Sequence, residues 1–308
     1  MVYDCIIIGC GVSGSISAYL LARQGFSVLA IEKLPKYGEK ICGGWISHRS
    51  ISQLRQIDID ANELLFRGAA SIKHGKIFQY GDCEAFDYAP DQFSIGTTRN
   101  NFDVFLSEQA MNAGAKYIFG EYVKEVSQEN ELYLVNGHYA RKVILAIGAR
   151  QFNKDAVLNQ IPAFGISELV VGKSKIKTDT FYFYYDIGML LPMEGRNALN
   201  YFWIIPVSVN TWNIGMGFLT ACKNMYRQFK YCKERYAVNL FENMKTILEP
   251  RGNMLGTVDF SGGICPYHIT GDFSGTCNPE TGEGILNAIL SGIQVANEVT
   301  LELKNKCS

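Results

Sequence analysis

The sequence predicts an α/β fold, and three stretches carry that prediction. Residues 2–8 form an apolar, β-rich run that passes into Gly9-Cys10-Gly11-Val12-Ser13-Gly14 and then into a helical stretch over 15–24. Residues 26–31 make a second apolar strand ending in Glu32. Near the far end, 263–270 read as a strand entering GDFSGTCNPETGEG (271–284), and 285–303 read as a helix with Ile285, Ile289, Ile293 and Ala296 on one stripe. Strand, tight turn and helix in succession build parallel sheets with helices on their faces.

Composition narrows the function classes. The chain has 308 residues, 47% of them hydrophobic and 19% charged, enough for two cores or one large bipartite core. A net charge of −1 with scattered basic residues gives no footprint for nucleic acid. Apolar stretches are interrupted well before the roughly 20 residues that span a bilayer, so no transmembrane helix is expected. The first residues lack a basic n-region and run straight into glycines, which reads as folded structure and not as a signal peptide, and this places the protein in the cytoplasm. Nine cysteines without a CxxC pair read as reduced core thiols, and four histidines far apart in sequence give no metal site.

The first glycine loop has a separate reason for each glycine. Gly9 and Gly11 allow the turn and a close backbone approach to a pyrophosphate, Gly14 lets the helix sit against the strand, and the helix N-terminus favours negative charge. Such a turn also occurs in proteins without a nucleotide. Here a second strand ends in Glu32, 18 residues after Gly14, where a carboxylate accepts from an adenosine ribose. Up to this point the reading fits either FAD or NAD.

The second loop sits at a strand end and a helix N-terminus. Asp272 is placed to accept from a ligand hydroxyl, and the N–H groups near 282–284 to face partial negative charge. So many glycines imply that the backbone itself touches the ligand.

GDFSGTCNPETGEGI resembles the second FAD fingerprint, GDxxGxxNPxxGEGI, of the geranylgeranyl reductase-like branch of the para-hydroxybenzoate hydroxylase-type flavoproteins. Four further segments follow in that family's order: GCGVSG with Glu32; EKLPKYGEKICGGWIS (32–47), similar to EKxxxxGxKxCGG; TTRNNFDVFL, similar to RxxFDxxL; and ILAIGAR (144–150). YFWIIP (201–206) with NIGMG (213–217) is similar to the YxWxFP and xVGxG pair, Ile205 standing for Phe. The resemblance implies a Rossmann-like FAD-binding domain of the GR2 type, interleaved with an α+β substrate domain built on an antiparallel sheet. It also implies a set of FAD-binding residues: Gly9, Gly11, Val12, Ser13, Gly14, Glu32, Lys33, Cys42, Gly43, Arg99, Val123, Ala146, Gly148, Gly271, Asp272, Gly282, Gly284 and Ile285. In the family the aspartate at 272 binds the ribityl chain and the turn at 282–284 lies beside the flavin ring. Cys42 is the catalytic candidate, as proton donor, against the plain reading of a small buried filler.

Cofactor signatures fall in 1–65, 97–155 and 255–308, so 66–96 and 156–254 are expected to build the substrate side. That remainder reads as aromatic strands at 180–185 and 199–207, then a helical stretch over 222–248. Phe181, Phe183, Tyr185, Tyr201 and Trp203 share one sheet face by period two, either as the roof of an apolar pocket or as ordinary core. Tyr185, Tyr201, Trp203 and Pro279 are the substrate-pocket candidates.

The expected activity is FAD-dependent reduction of a C=C bond, or other hydride transfer, in an apolar or amphipathic small molecule. The alternatives are a flavin monooxygenase or halogenase, whose WxWxIP is partly matched by YFWIIP, and a flavoprotein acting only within a complex. No second GxGxxG serves a nicotinamide, so NAD(P)H binding transiently, or a protein electron carrier, is the expected reductant. Family members continue past the last flavin helix, which leaves room for a membrane surface or a protein partner at the substrate wall.

Overall fold

The computed structural model describes residues 1–79, 81–149, 161–185, 201–218, 224–258, 266–276, 278 and 282–305. Pro279, Cys222, Cys265, Cys277 and Cys307 lie outside them.

In chain order, β1 (Val2–Ile8), α1 (Val12–Arg23) and β2 (Val28–Glu32) come first. β3 (Trp45–Ile46), α2 (His48–Gln56), α3 (Glu63–Phe66), β4 (Ala70–Ile72), β5 (His74–Gln79), β6 (Asp82–Asp87) and β7 (Ser94–Gly96) follow. Next are α4 (Arg99–Asn112), β8 (Lys116–Phe119), β9 (Ser127–Glu129), β10 (Leu132–Val135) and β11 (His138–Leu145). The last group is β12 (Ile161–Ser174), β13 (Thr180–Tyr184), β14 (Tyr201–Pro206), β15 (Thr211–Phe218), α5 (Met225–Tyr236), β16 (Phe241–Val258), β17 (His268–Ile269) and α6 (Ile285–Asn305).

The first sheet has the order β8-β2-β1-β11-β10-β9, with β17 also on β11. β8, β2, β1, β11 and β17 are parallel, and β9 and β10 add an antiparallel flap. Cys5, Ile6 and Ile7 of β1 and Val143, Ile144 and Leu145 of β11 are buried, as central parallel strands covered on both faces must be. Parallel pairing puts the carboxyl ends of β1, β2, β11 and β17 on one edge, so the glycine turn after Ile8, the Glu32 end, Ala146 and the loop from Gly271 all open there. Ligands bind at this edge of open α/β sheets.

α1 is buried along most of its length because α4, α6 and the sheet surround it. Small residues let α6 come close: a Cβ on Gly292 would stand 2.7 Å from Ser13 O, and Ser17 Oγ donates to Gly292 O at 3.1 Å.

The second sheet runs β16-β12-β15-β14-β13-β5-β6. Every neighbouring pair is antiparallel except β13 with β5, where Thr180 stands opposite His74 in parallel. One face packs Tyr182, Tyr184, Phe202 and Ile204 against Phe229 and Cys232 of α5. The other presents Phe181, Phe183, Tyr201 and Trp203 toward Trp45 of β3, with rings 4.9 Å apart at Trp45 and Phe181. A small sheet, β3-β7-β4, comes from the chain between β2 and β8, with β5 and β6 of the second sheet interleaved in sequence.

Three expectations need correction. α1 begins at Val12 and not at Ser15, because Gly11 already accepts the first helical bond from Ser15 N at 2.9 Å. Of the helix expected over 222–248, the described residues are helical at Met225–Tyr236 and in a 3-10 turn at Val238–Leu240, while residues from Phe241 onward form β16, with Leu248 opposite Leu169. There Met244, Thr246 and Leu248 are half-buried and Lys245, Ile247 and Glu249 exposed, a period of two that interspersed charges hid. Of the strand expected over 263–270, only His268–Ile269 is seen as strand among the described residues.

Candidate functional site at the carboxyl edge of the parallel sheet

Gly9 has φ +97°, and a Cβ there would lie 2.3 Å from Ala146 O, so only glycine fits between β1 and β11. A Cβ on Gly14 would lie 2.1 Å from Gly9 O, which is the tight contact that seats α1 on its own turn. Glu32, 8% exposed, braces the turn from the next strand: its carboxylate accepts from Cys10 N at 3.0 Å and from Leu34 N at 3.2 Å. A carboxylate has about four lone-pair sites, so acceptor capacity remains for a ribose hydroxyl.

The two glycine loops meet. Gly271 has φ +68°, and its Cβ would fall 2.4 Å from Ser13 Oγ. Asp272 follows in a 3-10 turn, Gly271–Ser274, that closes at Gly275 with φ +71°. A Cβ on Gly284 would come 3.8 Å from Asp272 Oδ1, so the end of this loop folds back over its start. Thr276 Oγ1 is buried in the loop without a protein partner. Ser47 Oγ, which caps α2, donates to Glu283 Oε1 at 2.8 Å and ties the loop to the CGG segment.

Charge is concentrated beneath. Asp103 is fully buried, accepts from Arg99 Nε and Nη2 at 3.1 and 3.2 Å, and pairs with Lys40 Nζ at 3.0 Å. Burial raises the Asp103 carboxyl, but Arg99 and Lys40 outweigh it and hold the group below the usual carboxylate value. Burial acts to lower Arg99, whereas Asp103, Cys42 and Asp272 together keep it above its ordinary value. Asp272 is pushed up to about 6 by burial, against the pull of Arg99 and Lys40. Lys40 Nζ stands 2.9 Å from where a Gly11 Cβ would be, directly over the first loop. Glu39 accepts from Arg99 N and Asn100 N, a carboxylate at the α4 N-terminus.

Thus the structure brings Gly9, Gly11, Ser13, Gly14, Glu32, Cys42, Arg99, Ala146, Gly271, Asp272 and Gly284 into one neighbourhood. Val12 and Ile285 are buried in the helix core behind it. Val123 is 5% exposed and packs with Tyr3, Ile31 and Val135, so its side chain is core. Lys33 and Gly148 lie at the same edge, Gly148 with open space around it. Gly43 is closed in: its Cβ would meet Ile205 Cδ1 at 2.7 Å. Trp203 is 2% exposed and belongs to the core, whereas Tyr185 and Tyr201 are half-buried and ring-stacked at 5.2 Å. Pro279 is outside the described residues.

Sequence reasoning missed Lys40, Asp103, Asn213 and Glu283 as members of the site. Lys40 and Asp103 sat inside quoted motifs, but nothing in spacing shows that two charges 63 positions apart form a buried pair. Among the described residues no cluster suited to a metal ion occurs.

The donor set fits an elongated anionic dinucleotide: glycine backbone and a cation at one end, buried acceptors in the middle, and a second glycine turn with an unpartnered hydroxyl at the other. The family described as FAD binding domain matches residues 2–133. Digeranylgeranylglycerophospholipid reductase of Methanosarcina acetivorans is 26% identical over 98% of this chain and 75% of its own length. The chain is an FAD-dependent oxidoreductase, similar in sequence to the geranylgeranyl reductase-like branch. This oxidoreductase shares its fold with a geranylgeranyl bacteriochlorophyll reductase-like protein from Thermoplasma acidophilum, with TM-score 0.79 and 21% identity over 99% of this chain and 79% of that one. It also shares it with the flavin-dependent brominase Bmp2, with TM-score 0.74 and 17% identity over 99% and 80%. At those identities the two structures establish the oxidoreductase's architecture and not its substrate. No helix among its described residues is long and apolar enough to cross a membrane.

Proposed function

We propose that this flavoprotein reduces carbon–carbon double bonds in an apolar, isoprenoid-like small molecule in the cytoplasm. The observation that carries the reading is the docking of the Cys42–Gly44 loop between the cofactor edge and the aromatic face of the second sheet, through Gly43 on Ile205 and Trp203. The Methanosarcina relative, named for reduction of a geranylgeranyl lipid, supports the substrate class.

Bound FAD supplies hydride transfer. The chain's own residues bind and orient it. Gly9, Gly11, Ser13 and Gly14 admit the pyrophosphate to the α1 N-terminus, with Lys40 as its counter-charge. Glu32 would accept from the adenosine ribose, with Lys33, Ala146 and Gly148 at that end and Val12 and Val123 packed in the core behind it. Asp272 would accept from the ribityl chain, Gly271, Gly282, Gly284 and Ile285 would offer backbone to the flavin end, and Arg99 offsets the charge of Asp272. Gly43 and Cys42 would lie between the cofactor and the second sheet, against Trp203, Ile205 and Asn213. Cys42, or a water held there, delivers the proton. Tyr185 and Tyr201 form the apolar wall, backed by Trp203 in the core beneath them, and residues 66–96 and 156–254 the substrate side.

Anaerobic titration of the purified protein tests this. A yellow protein is expected to bleach near 450 nm, roughly the usual flavin band, with NADPH, NADH or a reduced carrier protein. It is then expected to add hydrogen across double bonds of a geranylgeranyl lipid, read by mass spectrometry. Turnover that requires oxygen sinks the reading in favour of an oxygenase. Cys42→Ser is expected to lose about 100-fold in turnover, the scale of a positioned proton donor, with FAD affinity unchanged.

A further inference from the structure

Asn213, on β15, spans the gap between the two halves of the site. The residue is 5% exposed, and its amide oxygen and nitrogen each make one hydrogen bond. Trp203 Nε1 donates to Asn213 Oδ1 at 2.8 Å, and Asn213 Nδ2 donates to Cys42 O at 2.8 Å. The direction of this relay is fixed by chemistry. An indole N–H can only donate and a backbone carbonyl can only accept, so one amide orientation alone satisfies both ends.

The loop it reaches is otherwise held by small contacts. Gly44 N donates to Cys42 Sγ at 3.4 Å, Thr97 N donates to Gly44 O at 2.8 Å, and Gly44 with φ +71° leaves only 2.0 Å between a Cβ and Thr97 O. Cys42 is therefore pinned at its carbonyl by the second sheet and at its sulfur by its own loop.

We propose that Asn213 is the positioning residue for Cys42: the Trp203–Asn213–Cys42 carbonyl relay sets where the thiol stands relative to the cofactor and the aromatic wall. This rests on the proposed role of the Cys42 loop at the reacting face. Among the described residues no other side chain hydrogen-bonds the Cys42 carbonyl, so losing the amide frees that peptide while leaving the thiol chemically intact.

The test reads the thiol directly and is independent of turnover. FAD-loaded protein is alkylated with iodoacetamide across a pH series, and modification at Cys42 is followed by peptide mass mapping. Asn213→Asp keeps an acceptor for Trp203 but sets an oxygen against the Cys42 carbonyl. Asn213→Leu removes both bonds, and Trp203→Phe removes only the far one. Cys42 alkylation is expected to speed up on the order of tenfold in the two Asn213 variants, the ratio that one lost buried hydrogen bond gives, and less in Trp203→Phe. FAD content is expected to stay at the native level. Alkylation rates and pH profiles equal to native in folded Asn213→Asp and Trp203→Phe overturn the proposal, whatever becomes of Asn213→Leu. A protein inactive on every isoprenoid yet showing the accelerated alkylation refutes the substrate reading and leaves the relay standing.

Discussion

Asp103 holds the charged floor of the site together. A carboxylate with no exposure between Arg99 and Lys40 is stabilising only while both cations are matched, since removing one member of a buried ion group leaves uncompensated charge. Asp103→Asn is expected to cost about 3–5 kcal/mol by denaturant unfolding of FAD-free protein. Asp272 behaves in the opposite sense. Its carboxyl is raised from 3.8 to about 6, so between those values the folded state holds a proton that the unfolded state lacks. Stability from this group is therefore full below 3.8, falls as pH rises through the window, and is gone above about 6. In FAD-free protein, Asp272→Asn is expected to flatten the fall in Tm across that window, and an unchanged slope counts against a buried carboxyl here.

At the scale of elements, the crossing of α1 and α6 is the tightest joint. Gly292→Val places atoms where Ser13 O already stands at 2.7 Å from a Cβ, so α6 must move outward and take the loop from Gly271 with it. Overpacking of this kind costs about 1–3 kcal/mol, and lower Tm with weakened FAD binding is expected together. Weakened stability at native FAD affinity would uncouple the helix crossing from the second loop. This joint also shows what the sequence discloses. The parallel strands and the glycine turns were legible because backbone clearance at Gly9, Gly14 and Gly271 forbids any other residue, and such prohibitions mark a sequence strongly. The stretch from Phe241 was not legible as strand, because half-exposed β16 alternates charges with apolar residues at a period that a 27-residue window blurs into a helix. Nor was the Asn213 relay, since one amide in NIGMG carries no pattern until β14 and β15 pair Ile205 with Asn213.

At the scale of the whole molecule, the site is assembled from both ends of the chain and from the middle. Loops after β1, β2, β11 and β17, the N-terminus of α4 and the Cys42 segment all face one edge, while the aromatic sheet closes it. A ligand that bridges so many separate segments favours the folded state by mass action. FAD at about 100 times its Kd is expected to add roughly 2.7 kcal/mol to the unfolding free energy, seen as a concentration-dependent rise in Tm. A melting curve insensitive to FAD would mean that the loops do not share one ligand.

The close seat of Gly271 on Ser13, with Gly292 two turns into α6 pressing on the same residue, has a consequence for biosynthesis. Ser13 leaves the ribosome early, but its two covering neighbours are translated more than 250 codons later. At about 5–20 residues per second that delay is tens of seconds, during which the nascent N-terminal half has an open pyrophosphate turn and no lid over it. Coenzyme loading therefore belongs after residues 271–292 have been translated, when the second loop and its helix can close on Ser13.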